Sequence, residues 1–280
     1  MEVFSHLKEE LKVVKKLLQI NDLSKTFYKG TVNENTIFNK FSFTANEGDF
    51  ISIIGSNGAG KSTLLNLIGG SIIADEGSIL LDGEEVINKK EHYRAKKIGR
   101  VFQNPFQGVC SNMTILENMS LAFNKGKSYN LTPGINKKNI NRFKEQLEKI
   151  DLGLEDKIND KVGLLSGGQR QAISLLMAVM SKPKVLLLDE HTAALDPKTS
   201  EKIISITKEL VEENKITTLM VTHNLNHAIS SGNRLIMMHK GEVIVDIREK
   251  DKVDLTTEKL MKEFEHAHVK EALSDRSLLV

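Results

Sequence analysis

The chain is 280 residues long with a formal net charge of +2; 40% of its residues are hydrophobic and 27% are charged. That length holds one large α/β domain or two small ones and buries a sizeable core, and the balanced composition excludes a disordered or fibrous chain. Lysines and acids are interspersed rather than gathered into a basic stripe, which argues against nucleic acid as a partner; the lone cysteine, Cys110, leaves no intrachain disulfide and fits a reducing compartment.

In chain order, Leu7 to Leu18 mix Lys8, Glu9, Glu10, Lys12, Lys15 and Lys16 with leucines and valines, so the apolar run of a signal peptide is not expected. Residues 1–18 are predicted to form an amphipathic helix, a solvated cover on the domain; a membrane-surface or partner-binding role is the alternative. From residue 19 to 255, short β-rich runs alternate with helical patterns, as in a mostly parallel sheet covered by helices. Strands are predicted at Asp49–Ile54, Ser78–Leu81, Ile98–Phe102, Lys184–Leu188, Thr217–Val221 and Arg234–His239. Val185–Leu188 is apolar throughout, as a central strand buried on both faces requires. Helices are predicted at Lys61–Gly70, Gly167–Ser181, Pro197–Glu213 and Leu225–Ser231, and Lys137–Ile150 carries Ile140, Phe143, Leu147 and Ile150 on one face. Over residues 104–165 the alternation stops; without a convincing strand, and with a Gly/Ser/Asn/Pro loop at Asn124–Gly134, this stretch reads as an inserted helical subdomain. A C-terminal helix is predicted over Thr256–Leu273, within the tail 256–280. The best candidate for a membrane span, Ile173–Met180, covers eight positions, well short of the about 20 that a spanning helix needs.

Gly55, Ser56, Asn57, Gly58, Ala59, Gly60, Lys61, Ser62 and Thr63 follow a predicted strand and open a predicted helix, the context in which G-x-x-x-x-G-K-[ST] binds phosphate. Glycines let the backbone curl so that successive N–H groups form an anion nest, and the helix N-terminus adds its positive end. Lys61 can reach the β- and γ-phosphates, the Ser62 hydroxyl is placed to coordinate Mg²⁺, and Thr63 can add a phosphate hydrogen bond. Composition alone produces this pattern in roughly two chains in a hundred. The motif therefore establishes phosphate binding, but not which nucleotide.

Val185-Leu-Leu-Leu-Asp189-Glu190 sets two carboxylates at the carboxyl end of a buried strand, where ligands of open α/β sheets collect. Asp189 is expected to hold Mg²⁺, directly or through water, and Glu190 to act as general base on the attacking water; without a phosphate loop upstream they would be ordinary surface acids. Leu165-Ser-Gly-Gly-Gln-Arg-Gln171 adds a second anion site at a helix start, where Ser166 brings a hydroxyl and the first-turn N–H groups are exposed. Helix capping accounts for Ser166 alone, not for two phosphate-type sites in one chain.

Together these three motifs resemble the ATP-binding-cassette family, over nearly everything from Leu23 to Asp246. The resemblance implies an α/β fold: a P-loop NTPase core with a mostly parallel sheet, an N-terminal antiparallel β portion and an inserted α-helical subdomain. It implies ATP and Mg²⁺ as ligands, and a head-to-tail dimer, expected here to be a homodimer. Each ATP then lies between the phosphate loop of one subunit and Ser166, Gly167, Gly168 and Gln169 of the other. Gln103 resembles the glutamine that senses Mg²⁺ and the attacking water, and His223 the switch histidine on the γ-phosphate, so that Glu190, His223 and Gln103 form the implied catalytic set. Asp196, in Ala194-Leu195-Asp196, resembles the loop joining the two sites, and Phe27 the aromatic stacked on adenine, with Tyr28 as the alternative. Each has a plainer reading: a loop glutamine, a structural histidine, a helix N-cap before Pro197 and a core aromatic.

His191 stands where many cassettes have proline; a surface substitution is expected, with a chemical role as the alternative. The runs DEHTAALDP and LSGGQRQA resemble ATPases of bacterial amino-acid uptake, in particular a group assigned to tryptophan or tyrosine. Asn159-Asp-Lys-Val-Gly163 lacks the Glu-Arg-Gly run of exporters, which favours an importer. The implied function is the ATP-hydrolysing subunit of such an importer, at the cytoplasmic face of the membrane. Separate permease subunits would dock on about Asn104–Glu117, and an extracytoplasmic substrate-binding protein would supply the cargo. A soluble ABC ATPase not coupled to transport is the alternative.

Overall fold

A computed structural model describes residues 15–127 and 133–263, which are organised by two sheets. The first is antiparallel, in the order β2-β1-β4-β5, from β1 (Lys16–Phe27), β2 (Asn35–Asn46), β4 (Glu76–Leu81) and β5 (Glu84–Glu85). The second has the order β10-β9-β3-β8-β7-β6. In it β3 (Phe50–Gly55), β6 (Ile98–Val101), β7 (Val185–Asp189), β8 (Thr217–Val221) and β9 (Arg234–His239) run parallel, and β10 (Glu242–Arg248) closes one edge antiparallel to β9. The helices are α1 (Lys61–Gly69), α2 (Glu91–Arg94), α3 (Ile115–Phe123), α4 (Ile140–Ile150), α5 (Gly167–Met180), α6 (Pro197–Asn214), α7 (Leu225–Ser230) and α8 (Glu249–Val253).

The period of the strand decides how these layers meet. Val185 and Leu187 of β7 pack into a core shared with α1 and the antiparallel sheet, whereas Leu186 and Leu188 point the other way, into a core with α5 and α6. With both faces covered, β7 has no polar side chain before Asp189. In the first core α1 buries Leu64, Leu65, Leu67 and Ile68, each worth about 1.5–3 kcal/mol relative to exposure. The last turn of α1 is held by Arg94 of α2, which is 2% exposed. Its guanidinium donates to the carbonyls of Leu67 (2.6 Å), Ile68 (3.1 Å), Ile87 (2.7 Å) and Lys89 (2.9 Å).

Between β6 and β7 the chain leaves the sheet for α3, α4 and the start of α5. Phe143, Leu147 and Ile150 of α4 are buried in the second core, the face that their spacing predicts. A reciprocal cap starts α3: Glu117 N donates to Thr114 Oγ1 (3.2 Å) and Thr114 N to Glu117 Oε2 (2.7 Å).

Two departures concern the ends. Lys16–Leu18, predicted as the end of an N-terminal helix, instead open β1; residues 1–14 lie outside the described residues. A register shift between Lys16 and Leu18 in the pairing with β2 turns both Leu17 and Leu18 inward, so consecutive burial replaces alternation. Of the helix predicted over Thr256–Leu273, residues 257–263 are helical and Leu260 is buried beside Ile54, Leu235 and Met237; the remainder lies outside the described residues. The alternation also leaves β2 and β10 unpredicted. β10 is an edge strand tied to β9 by Arg234, whose Nε and Nη2 reach Asp246 at 2.7 and 2.9 Å.

Replacing Arg94 by methionine keeps the apolar stem and orphans four carbonyls, three of them reached by a buried guanidinium arm. Arg94→Met is expected to lower unfolding stability by at least about 3 kcal/mol, read from chemical denaturation.

Candidate active site

The loop between β3 and α1 takes its shape from three glycines. Gly55 (φ 148°) lies so close to β9 that an added Cβ would sit 2.1 Å from the Met238 carbonyl oxygen. Gly58 (φ 81°) and Gly60 (φ 97°) are left-handed, which curls the backbone back over the start of α1. No side chain caps α1 and no acid lies in its first turn, so its leading N–H groups and positive dipole end are left to a ligand. Lys61, 6% exposed, folds back and donates from Nζ to the carbonyls of Gly55 (2.8 Å) and Ser56 (2.9 Å). Burial lowers the pKa of this ammonium, against the pull of Glu190 and Asp189.

The acids arrive from the neighbouring strands. Ser62 Oγ donates to Asp189 Oδ1 at 3.0 Å, which joins the first turn of α1 to the end of β7. Arg100 of β6 stands 3.7 Å from the other Asp189 oxygen. Glu190 follows with a left-handed backbone, φ 46°. Its carboxylate lies between Gln103, whose Nε2 donates to Oε2 at 3.1 Å, and His223, whose Nε2 is 2.6 Å from Oε1. Lys61, Ser62, Asp189, Glu190, Gln103 and His223 thus converge where β3, β6, β7 and β8 end.

Ser166, Gly167, Gly168 and Gln169 stand apart from this group. Ser166 is the N-cap of α5: its Oγ accepts from Gln169 N (3.2 Å), and its own N–H donates to Gln169 Oε1 (3.1 Å). Gln169 Nε2 donates to Leu152 O at 3.2 Å, inside the helical insertion. A Cβ on Gly168 would lie 2.2 Å from Thr199 Cγ2, so glycine lets α5 meet the start of α6. Asp196 caps α6 by accepting from Thr199 N at 3.1 Å, and the bonds from Thr199 hold its carboxyl below the ordinary carboxylate range.

Phe27 ends β1 half-buried, with Lys25 Nζ 5.4 Å from its ring centroid, and Tyr28 beyond it is 71% exposed. The side chains that press on Gly60 are instead Phe38 and Ile37 of β2. His191 corrects an expectation: it is 3% exposed rather than on the surface, with Nε2 3.1 Å from Thr207 Oγ1. Burial, with His227 nearby, pushes its pKa down to about 3. Two motif residues take on supporting contacts that the motifs do not predict. Gln171, 1% exposed, donates to Phe102 O (3.3 Å) just before Gln103, and Ser56 Oγ lies 3.4 Å from His239 Nδ1. For Arg100 the visible signal is a charge inside an otherwise apolar strand.

Comparison with known proteins decides the family. The family profile described as ABC transporter matches residues 38–193, more than half of the chain. The chain belongs to the ABC transporter family. It is an ATP-binding and ATP-hydrolysing subunit of a transporter. It is 52% identical over 251 residues to the tyrosine transport ATP-binding protein of Clostridioides difficile strain R20291, covering 90% of this chain and 100% of that one. It is 36% identical over 234 residues to the spermidine/putrescine import ATP-binding protein PotA of Haemophilus influenzae strain KW20, covering 83% of this chain and 58% of PotA. Among solved structures, the dimeric cassette MJ0796 in a post-hydrolysis state with ADP and Pi superimposes with a TM-score of 0.70 at 32% identity, covering 83% of this chain and 98% of that one. The ADP conformation of the cassette MJ1267 gives 0.71 at 28%, covering 89% and 98%.

The close approach of Gly55 to β9 makes a test of the ABC phosphate loop. Gly55→Ala is expected to weaken ATP binding by at least about tenfold, measured by titration with a fluorescent ATP analogue; a melting curve run in parallel separates a deformed loop from an unfolded domain.

Proposed function

We propose that this chain is the ATPase of an amino-acid importer, for tyrosine or a related aromatic amino acid, working as a head-to-tail homodimer with Mg²⁺ at the cytoplasmic face of a membrane. The observation that carries the dimer reading is the division of the anion-binding groups. Lys61, Ser62, Asp189, Glu190, Gln103 and His223 gather in one place, while Ser166–Gln169 is tied to Leu152 and packs beside Thr199. One chain then holds half of each of two sites, and a second copy completes them. The substrate class rests on the 52% identity to a tyrosine transport protein along that protein's whole length.

The donors suit a hard divalent cation. Ser62 Oγ and Asp189 Oδ1 are 3.0 Å apart, and the Gln103 side chain is close by on Glu190. Among the described residues no cluster of three or more His, Cys, Asp or Glu could cage a metal alone, and Mg²⁺ characteristically takes one or two protein oxygens, with phosphates and waters completing its shell. Ser62, Asp189 and Gln103 would hold it, and when bound it would neutralise phosphate charge. In the reaction Lys61 exchanges the loop carbonyls for β- and γ-phosphate oxygens. Glu190 takes the proton of the water that attacks the γ-phosphorus, the bond to the ADP oxygen breaks, and His223 donates to the γ-phosphate. Among the described residues no helix is long and apolar enough to cross a membrane. The proposed partners are permease subunits on the surface around Asn104–Glu117 and an extracytoplasmic binding protein that delivers the amino acid.

Glu190→Gln is expected to keep ATP affinity within about twofold and to lower turnover at least 100-fold, on the order of a lost general base, in a phosphate-release assay. Wild-type turnover by this variant would remove Glu190 as the base. Lys61→Ala and Ser166→Arg are each expected to be inactive, and their equimolar mixture to recover hydrolysis, because a mixed dimer contains one intact site. A mixture as silent as its components counts against a shared site.

A further inference from the structure

Glu190 has a backbone conformation that a residue with a side chain adopts at a cost, φ 46°, and such geometry persists where its surroundings over-determine it. Its N–H donates to Val221 O (3.0 Å) and its carbonyl accepts from Ala193 N (3.0 Å), so residues 190–193 form a tight turn with His191 in the second position. That position favours proline, whose ring fixes φ and stiffens the turn. His191 has no such ring closure, and the turn needs another brace.

The imidazole supplies one. It is buried, and Nε2 lies 3.1 Å from Thr207 Oγ1, near the middle of α6. Thr207 Oγ1 is itself 2.7 Å from the carbonyl oxygen of Ile203. A carbonyl only accepts, so the single hydroxyl proton of Thr207 is committed there, and Oγ1 receives the proton carried by His191 Nε2. Nε2 is therefore the donor, and the ring forms a strut from the turn to a helix that is anchored in the second core by Ile203, Ile204 and Ile206.

We propose that His191 is a positioning residue: its bond to Thr207 keeps the 190–193 turn closed, so that the Glu190 carboxylate stays between Gln103 Nε2 (3.1 Å) and His223 Nε2 (2.6 Å). The inference rests on Glu190 being the general base. A brace of this kind acts on the chemical step and leaves the phosphate loop alone, so its loss lowers kcat without raising the KM for ATP.

The test is steady-state hydrolysis by the full-length protein. Thr207→Val, which keeps the shape and removes the acceptor, is expected to lower kcat about tenfold with KM within about twofold of wild type. Thr207→Ser restores kcat to within about twofold, and His191→Leu combined with Thr207→Val is no slower than the worse single variant, as two halves of one contact require. Wild-type kcat for Thr207→Val overturns the proposal, as does a loss that serine does not rescue. Should Thr207→Val fail to fold, His191→Gln, which keeps a donor at similar reach, is compared with His191→Asn, which is too short; equal rates overturn the proposal. Glu190→Gln runs beside these variants. If it turns over normally the general-base reading falls, whereas an inactive Glu190→Gln with an unaffected Thr207→Val removes only the strut.

Discussion

A helix that begins with unpaired N–H groups is the constraint on which the site depends. The first turn of α1 has neither a capping side chain nor an acid to satisfy it, an arrangement that an isolated helix of nine residues would not sustain in water. Here the cost is offset from elsewhere. Leu64, Leu65, Leu67 and Ile68 fix the helix in the core between the sheets, and Arg94 satisfies carbonyls at its far end. The amino end is left as a standing demand for an anion, which a phosphate suits.

The same layering sets the reach of every other group. β6, β7 and β8 deliver Gln103, Asp189, Glu190 and His223 to one edge because the strands run parallel and stop together. Cross-links then fix distances between elements far apart in the chain: Ser62 to Asp189 joins α1 to β7, and Gln171 to Phe102 joins α5 to the end of β6. A shift of α5 or α6, the elements that carry Ser166 and Thr207, therefore bears on the loops around Glu190.

How far the sequence reveals this depends on whether a residue's neighbours are local. The parallel strands and the long helices were readable because burial on both faces or on one stripe leaves a plain period; Thr217–Val221 and Arg234–His239 stand where the pattern puts them. β1 was not, since its bulges put Leu17 and Leu18 inward together and break the alternation. β2 did carry a signal, Phe41, Phe43 and Ala45 buried at every second position, but Asn35–Lys40 ahead of it follows another register. In the site, the groups within sequence motifs could be named in advance. The tasks of Gln171, at the end of a motif, and of Thr207, outside any, were hidden, because their work is to contact residues 69 and 16 positions away. His191 sits inside a motif and reads from sequence as a surface residue, yet α6, folded back over the turn, buries it.

Ser166 shows how one hydroxyl can serve two masters. In capping α5 it uses a lone pair, accepting from Gln169 N at 3.2 Å. Its proton is not consumed by that bond. In the proposed dimer, holding the helix and meeting an anion would therefore draw on different parts of the same hydroxyl, and a neighbouring subunit's phosphate would not have to dismantle the cap in order to bind. Threonine keeps both halves of that chemistry; alanine loses both at once, and asparagine or aspartate keeps the cap while giving up the hydroxyl proton.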